Sequence, residues 1–265
     1  MTTAHIESVL AAAITHQRKP RANRNGSEPA ERKTDFAYNT QRGRIDMFSN
    51  IPADRPPIDP YPLSPYVAWA GNRNRDPILK VFQEILPKSG NILELASGAG
   101  NHMNYFAPHF KQLHFQPSDY DTDVFETIKQ KRADQGNANV ADPIKIDLTA
   151  PETWPDPKDR LYDVIFVVNL FQVAPVAIAD GIAQVAARVL TKDGFVAIYG
   201  PFKVDGRYTT ESNEAFDKEI LAPKISEWGL KDVKDLEKAA NAHNVALKKI
   251  LEMPANNFIL MFGRA

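Results

Sequence analysis

The sequence predicts an α/β fold: a seven-stranded, mostly parallel sheet with helices on both faces and an antiparallel last strand. Three observations predict it. From about residue 70 onward, short apolar runs alternate with stretches of 3.6-residue periodicity, the pattern of βαβ units. One run, Tyr162-Asp-Val-Ile-Phe-Val-Val-Asn169, is apolar on both faces, as a central parallel strand must be. The last two apolar runs follow one another with no long helix between them, so the final strand turns back on its neighbour.

Each element has its own justification. Ile78, Leu79, Phe82, Ile85 and Leu86 recur at helical spacing and predict the first helix of the domain. Asn91 to Ala96 is a short buried strand that runs straight into glycines, and Met103 to Phe110 continues as helix. Gln112 to Pro117 reads as the second strand, Val124 to Ala133 as a helix, and Ile144 to Asp147 as the third strand. The 162–169 run is the fourth. Ile178 to Leu190 is helical, Lys192-Asp-Gly194 reads as a turn, and Phe195 to Tyr199 is the fifth strand. Val233 to Asn241 is helical, and Val245 to Leu251 and Phe258 to Phe262 complete the sheet.

Ahead of this pattern the chain changes character. Residues 17 to 63 are polar, and Pro52, Pro56, Pro57, Pro60, Pro62 and Pro65 crowd one stretch. Proline removes backbone donors and is excluded from helix interiors, so an irregular arm is expected. Met1 to His16 carries a short amphipathic pattern (Ile6, Val9, Leu10, Ala13, Ile14), expected to dock on the domain or on a second subunit. The expected organisation is an N-terminal extension over 1–63 and one domain over 64–265, with a homodimer through the extension.

Composition excludes several functions. Of the 265 residues, 43% are hydrophobic and 25% charged, and the formal net charge is −1. Such a chain has no global field to draw it to nucleic acid or anionic lipid. It has no cysteine, which rules out disulfides, thiolate metal sites and a cysteine nucleophile. No apolar run approaches the roughly 20 residues that span a bilayer, and Met1 to His16 lacks the layout of a secretory signal. No His, Asp and Glu stand at metal-ligand spacing. The expectation is a cytoplasmic protein of small-molecule metabolism, without a metal, a membrane or a nucleic-acid partner.

The chemistry concentrates at the end of the first strand, in Ile92-Leu-Glu-Leu-Ala-Ser-Gly-Ala-Gly100. Ligands of open α/β sheets sit beyond the carboxyl ends of the strands, where the strand order switches. Gly98 and Gly100 permit positive φ and close backbone approach, and the helix near Asn101 offers unpaired N–H groups. Met103 stands where a dinucleotide fingerprint has its third glycine, which weakens an NAD(P) reading. Glu94 lies inside the strand, where an acid is costly unless it serves a purpose. Two more acids end strands. Asp119, in Gln116-Pro-Ser-Asp119, is placed to accept ribose hydroxyls, and Asp147 to accept from an adenine amine, with Leu148 against the ring. Glycine loop, Glu94, Asp119 and Asp147 together point to S-adenosylmethionine (SAM). The strand–strand ending also departs from a dinucleotide-binding Rossmann domain and matches the Rossmann-like fold of class I methyltransferases.

The resemblance extends further. Arg73-Asn-Arg-Asp-Pro-Ile-Leu79, the glycine loop through His102, Gln116-Pro-Ser-Asp119, Tyr199-Gly-Pro-Phe202, Ser212-Asn-Glu-Ala-Phe-Asp217, Trp228-Gly-Leu230 and Glu252-Met-Pro-Ala-Asn-Asn257 are unusual strings. Over residues 64 to 265 the chain resembles a family of small class I SAM-dependent methyltransferase-like proteins with few assigned reactions. The resemblance implies the fold and the cofactor, and no substrate. One departure matters. After the fourth strand the family reads Asn-Met-Ile-His-Ile-Ser, often followed by Pro-Trp. Here the chain reads Asn169-Leu-Phe-Gln-Val-Ala-Pro-Val176, with Gln172 in place of the histidine and Val176 in place of the tryptophan. Glutamine is no general base near neutral pH.

The expected cofactor-binding residues are Arg73, Glu94, Ala96, Ser97, Gly98, Gly100, Asn101, Asp119, Asp147, Leu148, Asn169 and Leu170. Arg73 is the cation expected for the cofactor carboxylate. Asn169, Gln172 and Tyr199 are the expected catalytic residues around the methyl acceptor, with Pro201 and Phe202 as walls. His102 is expected to make a structural or cofactor-facing hydrogen bond. The leading expectation is methyl transfer to an oxygen or nitrogen of a small molecule, with the proline-rich arm as a lid over the acceptor. Two alternatives stay open: a cyclase or isomerase that uses SAM only as a fixed positive charge, which Gln172 favours, and a non-catalytic SAM-binding scaffold.

Overall fold

The structure is a computed structural model, and it describes residues 54–221 and 225–265. The expected amphipathic start and most of the proline-rich arm lie outside the described residues.

Seven strands form one sheet: β1 (Gly90–Glu94), β2 (Leu113–Asp119), β3 (Ile144–Lys145), β4 (Tyr162–Val168), β5 (Leu190–Gly200), β6 (Val245–Met253) and β7 (Asn257–Arg264). Their order is β3-β2-β1-β4-β5-β7-β6. Ladders among the first five strands are parallel, whereas β7 is antiparallel to both β5 and β6. The expected fold class is therefore the observed one. The strand order reverses between β1 and β4, and a ligand crevice opens at such a switch.

Among the described residues six α-helices accompany the sheet: α1 (Pro65–Ile85), α2 (Asn101–Phe106), α3 (Phe125–Gln135), α4 (Ile178–Val189), α5 (Glu211–Ala215) and α6 (Val233–Asn241). Strand alternation sorts the core into two layers. On one face, Ile165, Val167, Val196 and Ile198 pack with α4 and α6 through Ile182, Val185, Ala186 and Leu236. On the other, Ile92, Val164, Phe166 and Ala197 pack with α1 and α2 through Ile78, Phe82, Met103 and Phe106. The rings of Phe82, Phe106 and Phe166 meet edge-on or tilted, with centroids 5.2 to 6.1 Å apart, a favourable aromatic geometry.

Several boundaries differ from expectation, each for a physical reason. Helix α1 starts at Pro65 and not near Ile78, because Ser64 caps it by accepting the Val67 N–H at 3.2 Å and Pro65 fills the first turn. Pro77 lies inside α1. The expected turn at 192–194 is part of β5. The register jumps from Tyr162↔Leu190 to Val164↔Phe195, so the polar residues bulge out of a strand that continues on both sides. Strand β2 runs to Asp119, so this acid ends the strand from within it. Beyond β5, α5 and a π-helical turn (Phe216–Leu221) occupy a region for which periodicity predicts no element.

Candidate functional site

The glycine loop is built mainly from backbone. Leu95 N–H donates to the Phe166 carbonyl (3.0 Å), Ser97 N–H to the Ser118 carbonyl (2.8 Å) and Gly100 N–H to the Ser97 carbonyl (2.9 Å). Ser118 seals the underside, its hydroxyl donating to the Glu94 carbonyl at 2.7 Å and its N–H to Ser97 Oγ at 3.1 Å. Ala96, Gly98 and Gly100 all take positive φ, at 52°, 52° and 68°. A Cβ on Gly100 would lie 3.0 Å from Asn104 Nδ2 and 3.1 Å from Ile128 Cγ1, so glycine there serves both the turn and the close approach of α3.

Two acids meet at this loop. Asp119 is 3% exposed. Its Oδ2 accepts the Gly98 N–H at 2.8 Å and its Oδ1 the Asp121 N–H at 3.0 Å. Burial raises its affinity for a proton, and these backbone donors oppose the rise. Glu94 is 2% exposed, and its Oε2 has no hydrogen-bond partner. Burial pushes its carboxyl up to about 8, a shift that the Ser97 hydroxyl reduces and the charge of Asp119 increases. A carboxyl with an orphaned oxygen, buried under a glycine loop, is the centre of the candidate site.

The other expected cofactor residues have the following surroundings. The Ile146 N–H donates to the Asp119 carbonyl at 3.0 Å, which brings the end of β3 beside the acid. Asp147 Oδ1 caps its own turn, accepting from the Thr149 N–H (2.8 Å) and hydroxyl (2.7 Å). The Leu148 carbonyl lies so close to Gly181 of α4 that a Cβ there would stand 2.2 Å away. Partial burial first, and then the charges of Asp119, Asp121 and Asp147, raise the Tyr120 phenol. Asn101 Oδ1 accepts from Lys131 Nζ. Arg73 is exposed and stacks on Trp69, 5.0 Å from ring centre. The cations near the loop helix are Lys131 and Arg75; their charges, after burial, push His102 down to about 4. His102 is thus neutral, with Nε2 2.6 Å from Asn74 Oδ1, which ties α1 to α2.

A second cluster lies at the ends of β4 and β5. Asn169 takes φ 55° and donates its N–H to the Tyr199 carbonyl at 2.9 Å. Leu170 leads into a 3-10 turn over Phe171–Val173. Tyr199 is buried, and its phenol is pushed up to about 12. Gln172 Oε1 reaches Gly200, 3.7 Å from where its Cβ would be, beside the ring of Phe202. The Gln172 carbonyl accepts the Gly229 N–H at 3.0 Å.

Residues that sequence reasoning left without a role organise this side. Asp217 is 5% exposed. It accepts from the Leu230 N–H (2.7 Å), the Tyr208 hydroxyl (2.7 Å) and Lys203 Nζ (3.2 Å). Asn213 Nδ2 donates to Thr209 Oγ1 (3.0 Å) and the Asn256 carbonyl (3.2 Å). Lys231 Nζ donates to the carbonyls of Glu227 (2.6 Å) and Gly229 (2.9 Å), and burial lowers it to about 8. The unusual string at 212–217 is thus bonded to those at 228–230 and 252–257. Their clustering as strings was the only signal available in sequence.

Among the described residues, no three His, Asp or Glu side chains group as a metal site, and no helix is long and apolar enough to cross a membrane.

Solved structures share this architecture. The chain is 14% identical to CalO1, a methyltransferase in calicheamicin biosynthesis solved in its SAH-bound form, with TM-score 0.63 over 76% of this chain and 56% of that one. An O-methyltransferase family protein from Burkholderia thailandensis matches with TM-score 0.60 at 15% identity, over 76% of this chain and 59% of that one. PigF with SAH gives 0.61 at 11%, over 75% and 58%. The chain thus spans a little under three fifths of the length of these proteins, and at such identities the likeness is one of fold: the class I methyltransferase fold. A family model covers residues 65–264, and the chain belongs to that family, described as Protein of unknown function (DUF938).

Proposed function

We propose that the protein is a SAM-dependent methyltransferase that acts on an oxygen or nitrogen of a small molecule. The observation that carries this reading is Glu94: a buried carboxyl with one unpartnered oxygen, under a left-handed glycine loop pinned by Asp119. The residues fit SAM. Each oxygen of Asp119 takes a backbone N–H and keeps acceptor capacity for ribose hydroxyls. Ala96, Ser97, Gly98, Gly100 and Asn101 supply the loop, Asp147 and Leu148 the adenine side, and Asn169 and Leu170 the methyl side.

Bound SAM supplies a methyl group on a sulfonium that is already a strong electrophile. The protein's share is alignment and exclusion of water. Asn169 and Gln172 orient the acceptor through neutral amides, and Phe202 keeps the wall dry. Tyr199, with its raised pKa, holds its proton and acts as a donor, not as a base. Glu94 changes state: a cationic ligand group beside it pulls its carboxyl back towards ionisation.

The experiment follows from that change. Titration of the protein with S-adenosylhomocysteine, in two buffers of different ionisation heat near pH 7, is expected to show binding with release of a proton. In Glu94→Gln the release disappears. Proton-neutral binding to the unmodified chain would remove the role of Glu94. Labelled SAM incubated with fractions of small-molecule extract then tests transfer. Gln172 favours one second reading, a cyclase or isomerase on the same fold. Conversion of an acceptor without S-adenosylhomocysteine release would establish it. The same reading keeps residues 1–63 as an extension to a domain over 64–265, with a dimer through the extension, for which light scattering is the test.

A further inference from the structure

We propose that the segment Asp59–Ser64, just ahead of the part matched by the family model, is part of the cofactor site: a strap whose Pro62 closes over Gly98. This rests on the SAM reading above.

Gly98 is held from two sides. Its N–H is bonded to Asp119 at 2.8 Å. The space its missing side chain leaves is met by Pro62, whose Cβ and Cα lie 3.5 and 4.0 Å from an ideal Cβ on Gly98. That is ordinary van der Waals contact. The bare face of the glycine, which in such loops admits a ligand, is shared here with this chain's own proline.

The strap is fixed in that place. The Tyr61 N–H donates to Asp59 Oδ1 at 3.0 Å, Ser64 Oγ donates to the Asp59 carbonyl at 2.6 Å, and the Ser64 N–H donates to the Tyr61 carbonyl at 2.9 Å. Pro60 and Pro62 fix φ and lower the entropy of the open strap. Ser64 also caps α1. Helix α1 in turn reaches the loop helix α2 through Asn74 and His102 and through Gly71 against Asn101. Strap and glycine loop are therefore held in register by α1. The sequence predicts a lid over the acceptor; the described part of the arm lies instead on the cofactor loop.

A strap in this position has to lift for a ligand to enter and falls back to slow its escape. The contact thus governs dissociation more than folding. Stopped-flow measurement with S-adenosylhomocysteine on the full chain is the test. Pro62→Gly is expected to speed dissociation at least fivefold and weaken binding to match, with thermal unfolding of the free protein shifted little. Unchanged rates overturn the strap, and so does tighter binding, which would make Pro62 an obstruction. Hydrogen exchange on the unmodified chain needs no variant. Saturating S-adenosylhomocysteine is expected to slow exchange at the Tyr61, Leu63 and Ser64 amides at least tenfold, and unchanged exchange there overturns the strap. Binding that is normal but indifferent to Pro62 sinks the strap alone; no binding by the unmodified chain sinks the SAM reading and the strap with it.

Discussion

The two sides of the crevice are held by different means. On the cofactor side, main-chain bonds between adjacent strands and the loop fix Leu95 to Gly100. On the other side, beyond β5, side chains tie the chain together: buried Asp217 and Asn213 and half-buried Lys231. A backbone-built site tolerates side-chain changes and fails when backbone freedom is lost. A site wired by side chains fails when one carboxylate goes.

The sharpest way to break the comparison is at Asp217. Asp217→Ala leaves the half-buried Lys203 without its counter-ion and the Leu230 N–H without an acceptor. Removing one partner of such a buried set costs about 3–5 kcal/mol. Chemical denaturation measures the loss. Hydrogen exchange is expected to rise across 201–232, at Leu230 above all, while S-adenosylhomocysteine affinity stays within twofold. An equal loss of cofactor affinity would mean that the two sides are not separate.

The next effect belongs to the cofactor side and depends on pH. Folded Glu94 binds its proton up to about 8, against 4.5 for an ordinary carboxyl in water. The native state therefore holds more protons than the unfolded one between these values, and stability falls as pH rises through that window. Folded His102 titrates near 4, against 6.5 unperturbed. The unfolded state then holds more protons, so stability rises with pH from 4 to 6.5. The two slopes oppose each other between 4.5 and 6.5, and Glu94 acts alone from 6.5 to 8. Free protein is expected to lose on the order of 2 kcal/mol over that upper interval. In Glu94→Gln the upper slope flattens and the rising limb of His102 is unmasked. Denaturation midpoints at several pH values settle it; an unchanged upper slope in the variant refutes the assignment.

A smaller effect is expected at Gly100. Gly100→Ala forces φ 68° on a residue with a Cβ and presses it against Asn104 and Ile128. The cost is about 1–2 kcal/mol, read as a lower unfolding midpoint with a loss of S-adenosylhomocysteine affinity. The smallest is Asn213→Ala, which frees the Asn256 carbonyl and loosens the β6–β7 turn by about 1 kcal/mol, again without touching cofactor binding.

The same contrast explains what was legible in the sequence. All seven strands were visible, because burial on one or both faces writes itself into apolar runs. The meeting of Gly98 and Asp119 was legible because strand ends in this topology converge on one crevice, and the structure bonds the two. The start of α1 was hidden by the polar residues Asn72 to Asp76 and by Pro77, whose presence inside a helix no local rule favours. Asp217 and Pro62 were hidden for another reason. Their partners, Leu230 and Gly98, are distant in sequence, and nothing local in an Asp or a Pro says which loop it will meet. Arg73 shows the converse: a cation well placed by sequence that the fold turns onto Trp69.

The place of β7 has a consequence for the order of events in synthesis. Strand β6 precedes β7 in the chain, yet it lies at the sheet edge and bonds only to β7, which itself bonds to β5. A nascent chain that has emerged as far as Met253 therefore carries a finished β6 with no strand to receive it, and a β5 whose outer edge is still open. Both wait for Asn257–Arg264 to slide between them. Until then the α4 and α6 face is half-built, and the open edge of β5 carries unpaired backbone groups of the kind that pair with another strand.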